Sequence, residues 1–304
     1  MNELARVSVI IPHLNEPEQL AECLASLARQ QGAVPFEVIV VDNGSRQWPD
    51  FVERTGARLL RETTPGPGPA RNLGAAQAKA PILAFIDADC TAAPNWLAAL
   101  VAVFDARPEV DVLGGDIRIR PHQADRLTAI EAYESIYSYR TQLYVEQYGF
   151  TATGNMAVRA EVFRAVGPFG GIGTMEDTAW GQRASAMGHK LAYVAEARVY
   201  TPSCRSFGEL ARRWDRHVAH EFRETRDQRL GRLRWVGKAA VLAASPLGEI
   251  VRIARTGRVN GWRERALALG CVTQVRLYRA RKMMGLIWRD NAATMVDMWN
   301  REQS

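Results

Sequence analysis

Short apolar runs, each followed by a stretch with helical spacing, set the rhythm of the first two thirds of the chain. Residues 7–11 (V-S-V-I-I) predict a strand that stops at Pro12, and residues 14–29 carry Leu20, Leu24 and Leu27 at helical spacing. Residues 36–41 predict a second strand, closed by the turn signal Asp42-Asn43-Gly44-Ser45. A third strand is expected over 57–61. Residues 64–69 alternate proline and glycine, a stiff loop in which Pro69 suits the first position of a helix running to Lys79. Residues 82–86 are apolar throughout, the pattern of a strand buried on both faces. A helix over 94–106 and a longer strand over 110–120 follow, with Gly114-Gly115 as a bulge. Strand and helix patterns in alternation predict an α/β fold, a mainly parallel central sheet flanked by helices.

The rhythm then changes. Residues 124–148 read as one tyrosine-rich helix, 151–159 as extended chain, and 167–173 as a loop carrying Gly167, Gly170, Gly171 and Gly173. A helix over 176–187, short strands at 190–194 and 198–200, and a charged helix over 206–229 come next. From Trp235 onward two or three helices are expected, interrupted at Pro246 and around 257–261. No internal repeat or low-complexity segment is visible.

Composition narrows the class. At 304 residues there is room for one large domain, or a domain with an appendage. The apolar run before Pro12 is too short for a secretory signal, and uncharged stretches such as 266–275 fall well below the roughly 18 residues that span a bilayer. Cys23, Cys90, Cys204 and Cys271 have neither zinc spacing nor a disulfide framework, so a reduced, cytoplasmic protein is expected. The net charge of +6 is unevenly placed. Residues 1–200 carry 18 Lys and Arg against 23 Asp and Glu, and residues 201–304 carry 21 against 10. Such a basic C-terminal third fits nucleic acid, an anionic membrane surface, an acidic ligand, or simply a solvated helical surface. It lacks a recognisable nucleic-acid reading module, which argues against that partner.

The chemistry concentrates where apolar runs end. Asp87 and Asp89 emerge one residue apart after the run at 82–86. In open α/β sheets ligands bind at the carboxyl ends of strands, and paired hard oxygens there suit Mg2+ or Mn2+ against a diphosphate. The alternative is that both only cap a turn. Asp42 could accept hydrogen bonds from a nucleobase or ribose, or close an Asx turn. Neither a P-loop nor G-x-G-x-x-G is present, and Gly66-Pro67-Gly68-Pro69 offers too few N–H donors to cradle phosphate.

In order, V-S-V-I-I-P-H-L-N-E, V-V-D-N-G-S, G-P-A-R-N-L-G-A-A and F-I-D-A-D strongly resemble glycosyltransferase family 2, inverting nucleotide-sugar enzymes with the GT-A fold. The resemblance covers residues 6–215. It implies a catalytic domain over 1–228, with a nucleotide-sugar half (1–120) and an acceptor half (121–228), and a basic helical extension over 229–304. By the same resemblance Pro12 and Glu16 line the nucleotide pocket, Asp42 contacts the base, commonly uracil, and Arg71 lies near the nucleotide while Asn72 holds the loop. Asp87 faces ribose or metal, and Asp89 coordinates the divalent cation. Cys90 stands where a third carboxylate is often found. Thr153-Gly154-Asn155-Met156-Ala157-Val158-Arg159 resembles the acceptor-side strand and puts Asn155 there. Thr174-Met175-Glu176-Asp177-Thr178-Ala179-Trp180 resembles the Glu-Asp motif, with Asp177 as general base and Glu176 beside it. A sugar hydroxyl needs such a carboxylate to take its proton in the transition state. The competing reading is that both acids only favour a helix N-terminus. Trp180 and Arg183 could stack on a sugar or bind phosphate, or pack and solvate the helix. Arg213-Trp214 resembles the tail of Q-x-x-R-W, but Leu210 stands where glutamine would, so polymer synthesis is not supported. A metal-ligating histidine of the family is replaced near Tyr200-Thr201, leaving His217 or His220 as substitutes or as solvated groups.

The expectation is therefore an inverting transfer from a nucleotide-sugar, commonly UDP-linked, to a hydroxyl on a glycan or lipid-linked acceptor. The competing classes are a catalytically silent sugar-nucleotide-binding or scaffold protein and a sugar nucleotidyltransferase, although the glycine-rich loop of the latter is missing after the first strand. The Arg- and Trp-bearing C-terminal segments (Arg212, Arg213, Arg216, Arg223, Arg226, Arg229, Arg232 and Arg234, with Trp235, Trp262 and Trp288) suit either an anionic membrane surface at the inner face of the cell membrane or a homodimer contact.

Overall fold

The computed structural model describes residues 4–123, 126–172, 175–226, 228 and 230–289. Strand β1 (Val7–His13) leads to helix α1 (Pro17–Ala28), strand β2 (Phe36–Asp42), a 3-10 turn at Asp50–Thr55 and strand β3 (Arg58–Arg61). Helix α2 (Pro67–Gln77), strand β4 (Ile82–Ile86), the short strand β5 (Thr91–Ala92), helix α3 (Trp96–Ala106) and strand β6 (Val112–Arg120) follow. Then come α4 (Ala129–Tyr137), α5 (Thr141–Leu143) running into a π turn at Tyr144–Tyr148, β7 (Asn155–Arg159), α6 (Ala160–Val166), α7 (Glu176–Ala186) and β8 (Leu191–Pro202). Helices α8 (Phe207–Arg226), α9 (Gly231–Ala244), α10 (Pro246–Arg255) and α11 (Gly261–Arg289) complete the described chain.

Contacts divide the chain into two compact units, Met1–Arg120 with Tyr139–Pro202, and Pro121–Ser138 with Ser203–Ser304. The segment bearing α4, and residues 203–228, thus group with the C-terminal helices. The first unit is built on an eight-stranded sheet of order β3-β2-β1-β4-β7-β6-β8-β5. Strands β3, β2, β1 and β4 run parallel, and β8 runs parallel to β6. Strand β7 lies antiparallel to both its neighbours, and β5 to β8, so the sheet is mixed. Val7, Val9 and Ile11 of β1 pack with Leu20 and Leu24 of α1 and Trp96 of α3, while Ile10 joins Phe163, Phe169 and Trp180 on the opposite face. Both faces are covered, which is why β4 reads as a continuous apolar run and residues 7–11 of β1 as one broken only by the buried Ser8.

Parallel register carries the chemistry-bearing residues to one edge. His13 lies opposite Asp42, and β4 pairs with β1 over Val7–Ile10, so the ends of β1, β2 and β4 emerge together. Pro12 lies past the last β4 partner of β1, where its missing N–H takes no bond from that ladder. Ile86 lies opposite Asn155, bringing the start of β7 beside the end of β4.

Two expectations are corrected. The single helix over 124–148 is broken at Ser138–Arg140, where Tyr139 adopts φ 49°, and its start at Ala124 lies outside the described residues. The two strands at 190–194 and 198–200 are one, β8, whose register shifts against β6 between Gly115 and Asp116. Helix α6, β5 and the 3-10 turn were not anticipated from the pattern. The bulge is present beside Gly115, where only glycine fits: a Cβ there would lie 2.3 Å from Asn155 Nδ2 and from the Ala197 carbonyl.

Candidate active site

A buried guanidinium organises the carboxyl edge of the first unit. Arg71 of α2 is 4% exposed; its Nη2 donates to Asp87 Oδ1 at 2.7 Å and its Nη1 to Glu176 Oε1 at 3.1 Å. The donor-side loop after β4 and the start of α7 are thereby held by one side chain. Burial works against the Arg71 charge, yet Asp87, Glu176 and Asp177 together hold its pKa above the ordinary arginine value. Burial and the neighbouring Glu176 charge hold the Asp177 carboxyl above the usual aspartate range, while the Thr178 amide and Arg71 draw it part of the way back. Asp177 Oδ1 accepts from the Thr178 amide at 2.7 Å. The outcome is a proton-avid carboxylate one residue from an ion-paired one.

Helix α2 is pressed into place to make this possible. Gly66 sits at φ 121°, a conformation that favours glycine, and Pro67 opens the helix. A Cβ on Gly68 would fall 2.0 Å from the Gly170 carbonyl, so the helix touches the glycine-rich loop directly. Asn72 clasps that loop, donating to Phe169 O at 3.0 Å and accepting from Phe169 N at 2.8 Å, the holding role expected for it.

Asp87, Asp89 and Cys90 bring one ligand atom each within 4.8 Å of one another. Burial and the charges of Asp89 and Asp87 push the Cys90 thiol far up, and the Asp87 and Asp89 carboxylates are the hard donors of the group. Two hard oxygens fit Mg2+ or Mn2+. Gly154 leaves room for them: a Cβ there would meet Asp87 Oδ2 at 2.8 Å.

At the end of β2, Asp42 is 1% exposed and closes an Asx turn, accepting from the Gly44 and Ser45 amides at 3.1 and 3.0 Å. Its other oxygen lies 3.0 Å from His13 Nδ1, while His13 Nε2 accepts from the Glu16 amide at 3.2 Å. These contacts assign the His13 proton to Nδ1. Burial pushes Asp42 upward, but the bonds from Ser45, His13 and Gly44 outweigh it and hold the carboxyl below its usual range. Asn43 donates to Glu62 O and Thr64 O and accepts from the Gly66 amide, tying β2 to the proline-glycine loop. Glu16 is exposed, four residues beyond half-buried Pro12. His13 and Asn43 were not singled out in the sequence; the signal was the equal reach of two parallel strands, which sets His13 against Asp42.

Two residues expected on the acceptor side are held inside the first unit. Asn155 is fully buried: its Oδ1 accepts from Trp96 Nε1 at 2.8 Å, and its Nδ2 donates to Asp116 O and Ala197 O at 3.0 and 2.9 Å. Trp180 is buried among Phe85, Phe163 and Phe169, with Nε1 on Gly167 O at 2.8 Å. Arg183 likewise binds the carbonyls of Val166 and Pro168 at the end of α6. Arg213 and Trp214 belong to the second unit, where Arg213 Nη1 lies 2.6 Å from the buried Glu134 and Arg279 stacks 3.9 Å over the Trp214 ring. His217 packs against that ring as well. Gly173, Thr174 and the side chains of Arg216, His220, Arg223, Arg226, Arg229 and Trp288 lie outside the described residues.

Asn155→Ala is expected to lower stability by about 3 kcal/mol, because it strands an indole N–H and two carbonyls. The measurement is the guanidinium unfolding midpoint, with the donor KM of the folded enzyme unchanged. A changed acceptor KM at constant midpoint would return Asn155 to the acceptor side.

A profile of the family described as Glycosyl transferase family 2 matches residues 8–167. Glycosyltransferase AglE of Haloferax volcanii is 32% identical over 216 residues, spanning 68% of this chain and 70% of that protein. Validoxylamine A glucosyltransferase of Streptomyces hygroscopicus subsp. jinggangensis is 36% identical over 112 residues, which cover 32% of this chain and 25% of that protein. Among solved structures, the mannosyltransferase PcManGT from Pyrobaculum calidifontis, in complex with GDP-Man and Mn2+, aligns with a TM-score of 0.60 at 19% identity, over 94% of this chain and 88% of that one. TarS 1–349 of S. aureus, in complex with UDP, aligns with a TM-score of 0.52 at 19% identity, over 89% and 90%. At these identities the structural alignments establish a shared architecture, the GT-A fold.

Proposed function

The chain belongs to glycosyltransferase family 2, and from that premise we propose how its first unit carries out transfer. The donor is a nucleoside diphosphate sugar, uridine-linked by the resemblance of its V-V-D-N-G-S segment, and the acceptor is a hydroxyl of a glycan or lipid-linked glycan. PcManGT is complexed with GDP-Man and TarS with UDP, which supports the donor class.

One observation carries the reading: Arg71 ties Asp87, beside Asp89, to Glu176, beside Asp177. A cation-side carboxylate pair and a proton-avid carboxylate thus flank a single buried guanidinium. Asp177 takes the proton of the acceptor hydroxyl as its oxygen attacks the anomeric carbon opposite the departing diphosphate, so configuration inverts. Arg71 keeps the loop after β4 and the start of α7 in register, which is the positioning that a bimolecular displacement needs. Asp42 and His13 act one layer back, fixing the turn that bears Asn43 and Gly44 while Pro12 and Glu16 line the pocket. A Mg2+ or Mn2+ ion on Asp89 and Asp87 would neutralise charge growing on the leaving diphosphate.

Thermal unfolding with nucleoside diphosphates tests the donor side. A ligand at a hundredfold its Kd adds about 2.7 kcal/mol, so UDP with Mn2+ should raise the melting temperature by several degrees. Asp89→Asn should keep the fold and lose the Mn2+-dependent part of that rise. If no nucleoside diphosphate shifts the transition with or without metal, the nucleotide-sugar donor reading fails. Nucleotide binding with no transfer to any acceptor would instead support a silent sugar-nucleotide-binding protein.

A further inference from the structure

The second unit turns apolar side chains toward solvent on successive helices. On α9, Trp235 and Ala239 pack inward with Phe222 and Met283, whereas Leu233 and Val241 are 67% and 71% exposed. Leu233, Val236, Ala240 and Val241 recur at the spacing of one helix face, and all four are exposed. Helix α10 repeats the arrangement. Ile253 and Glu249 are buried, while Leu247 (79% exposed), Ile250 and Val251 recur on the outer face. Trp262, at the start of α11, is 82% exposed.

Single exposed apolar residues are ordinary; clusters of them on the outer faces of two consecutive helices are not. The flanks of those faces are basic. Arg232 and Arg234 border the α9 face, and Arg252 and Arg255 border that of α10, within a region carrying 21 Lys and Arg against 10 Asp and Glu. We propose that this face docks on an anionic lipid surface, its aliphatic residues and Trp262 entering the interface and its arginines meeting the headgroups. Arginine stems lie along apolar surface while their heads reach outward, and an indole suits the boundary between apolar and wet layers. A second copy of the chain fits less well, since an isologous contact would set the same basic rim against itself. Among the described residues no helix is long and apolar enough to cross a membrane, so the contact is interfacial. The inference stands independently of the catalytic reading.

The test is flotation of the full chain with vesicles of phosphatidylcholine alone or with about one third phosphatidylglycerol. The protein is expected to float with anionic vesicles at about 50 mM salt, to dissociate severalfold at about 0.5 M, and to ignore the neutral ones. Leu247→Asp combined with Val251→Asp should reduce binding at least about tenfold, leaving the melting temperature and donor turnover unchanged. If that variant does not fold, Val241→Asp on α9 carries the same expectation. Absence of flotation at low salt, or equal flotation of the variants, overturns the proposal. So does a wild-type dimer that the same substitutions dissociate, which assigns the face to a second copy.

Discussion

Asp177→Asn is expected to lower turnover by about 10²–10⁴-fold, the range a positioned general base contributes, while nucleotide affinity is retained. The wild-type pH profile should place the acid limb of kcat/KM above the ordinary aspartate value of about 3.9, because burial and Glu176 hold Asp177 upward. The same shift fixes the sign for stability. A carboxyl with a raised folded pKa binds its proton more tightly in the native state than in the unfolded one. Its ionisation therefore disfavours folding, increasingly as pH rises from the ordinary value through the folded one. The amide variant escapes this, so it should be at least as stable as the wild type at neutral pH while being nearly inactive. Comparing single-turnover rates with urea midpoints checks both halves. Full activity in a folded variant removes Asp177 from the proton-transfer role.

Arg71→Met is expected to cost about 3 kcal/mol of stability. Removing one partner of a buried ion pair leaves the other charges uncompensated, and the part-exposed Asp87 softens the loss. It should also shift the acid limb of activity further upward, since Arg71 is one of the groups that draw Asp177 back toward ionisation. Arg71→Lys should fall between, because one ammonium cannot reproduce a fork that reaches two carboxylates. Denaturant midpoints and pH profiles measured on the same preparations make the check. A change below about 1 kcal/mol, with an unmoved profile, would mean that the guanidinium does not organise the site.

What could be read from the chain follows what strands and turns encode locally. The runs ending at Pro12, Asp42 and Ile86 announce buried parallel strands, and the acids at their ends follow from where such strands stop. Less local features escaped. The tyrosine-rich stretch looked like one helix because its apolar spacing continues through Tyr139, whose positive φ leaves no trace in the pattern. Strand β8 looked like two because Ala195 and Glu196 are exposed where the register slips against β6. The directions of Asn155 and Trp180 were open, because polarity and aromaticity do not reveal which way a side chain points. Asn155 is in fact satisfied by an indole and two carbonyls, and Trp180 by an aromatic cluster. The Arg71 bridge spans more than a hundred residues and could be inferred only through the family resemblance.

The loops after β1 and β2 are stitched to each other. The Asn15 amide donates to Ser45 Oγ, the Arg46 amide to Asn15 Oδ1, and His13 spans from Glu16 to Asp42. Such a floor is stiff before any visitor arrives, so little conformational freedom is surrendered on capture. It also means that the two loops constitute a single inherited part. Exchanging one of them with a related enzyme would cut the seams on both sides, so the two loops can be transplanted only as a pair.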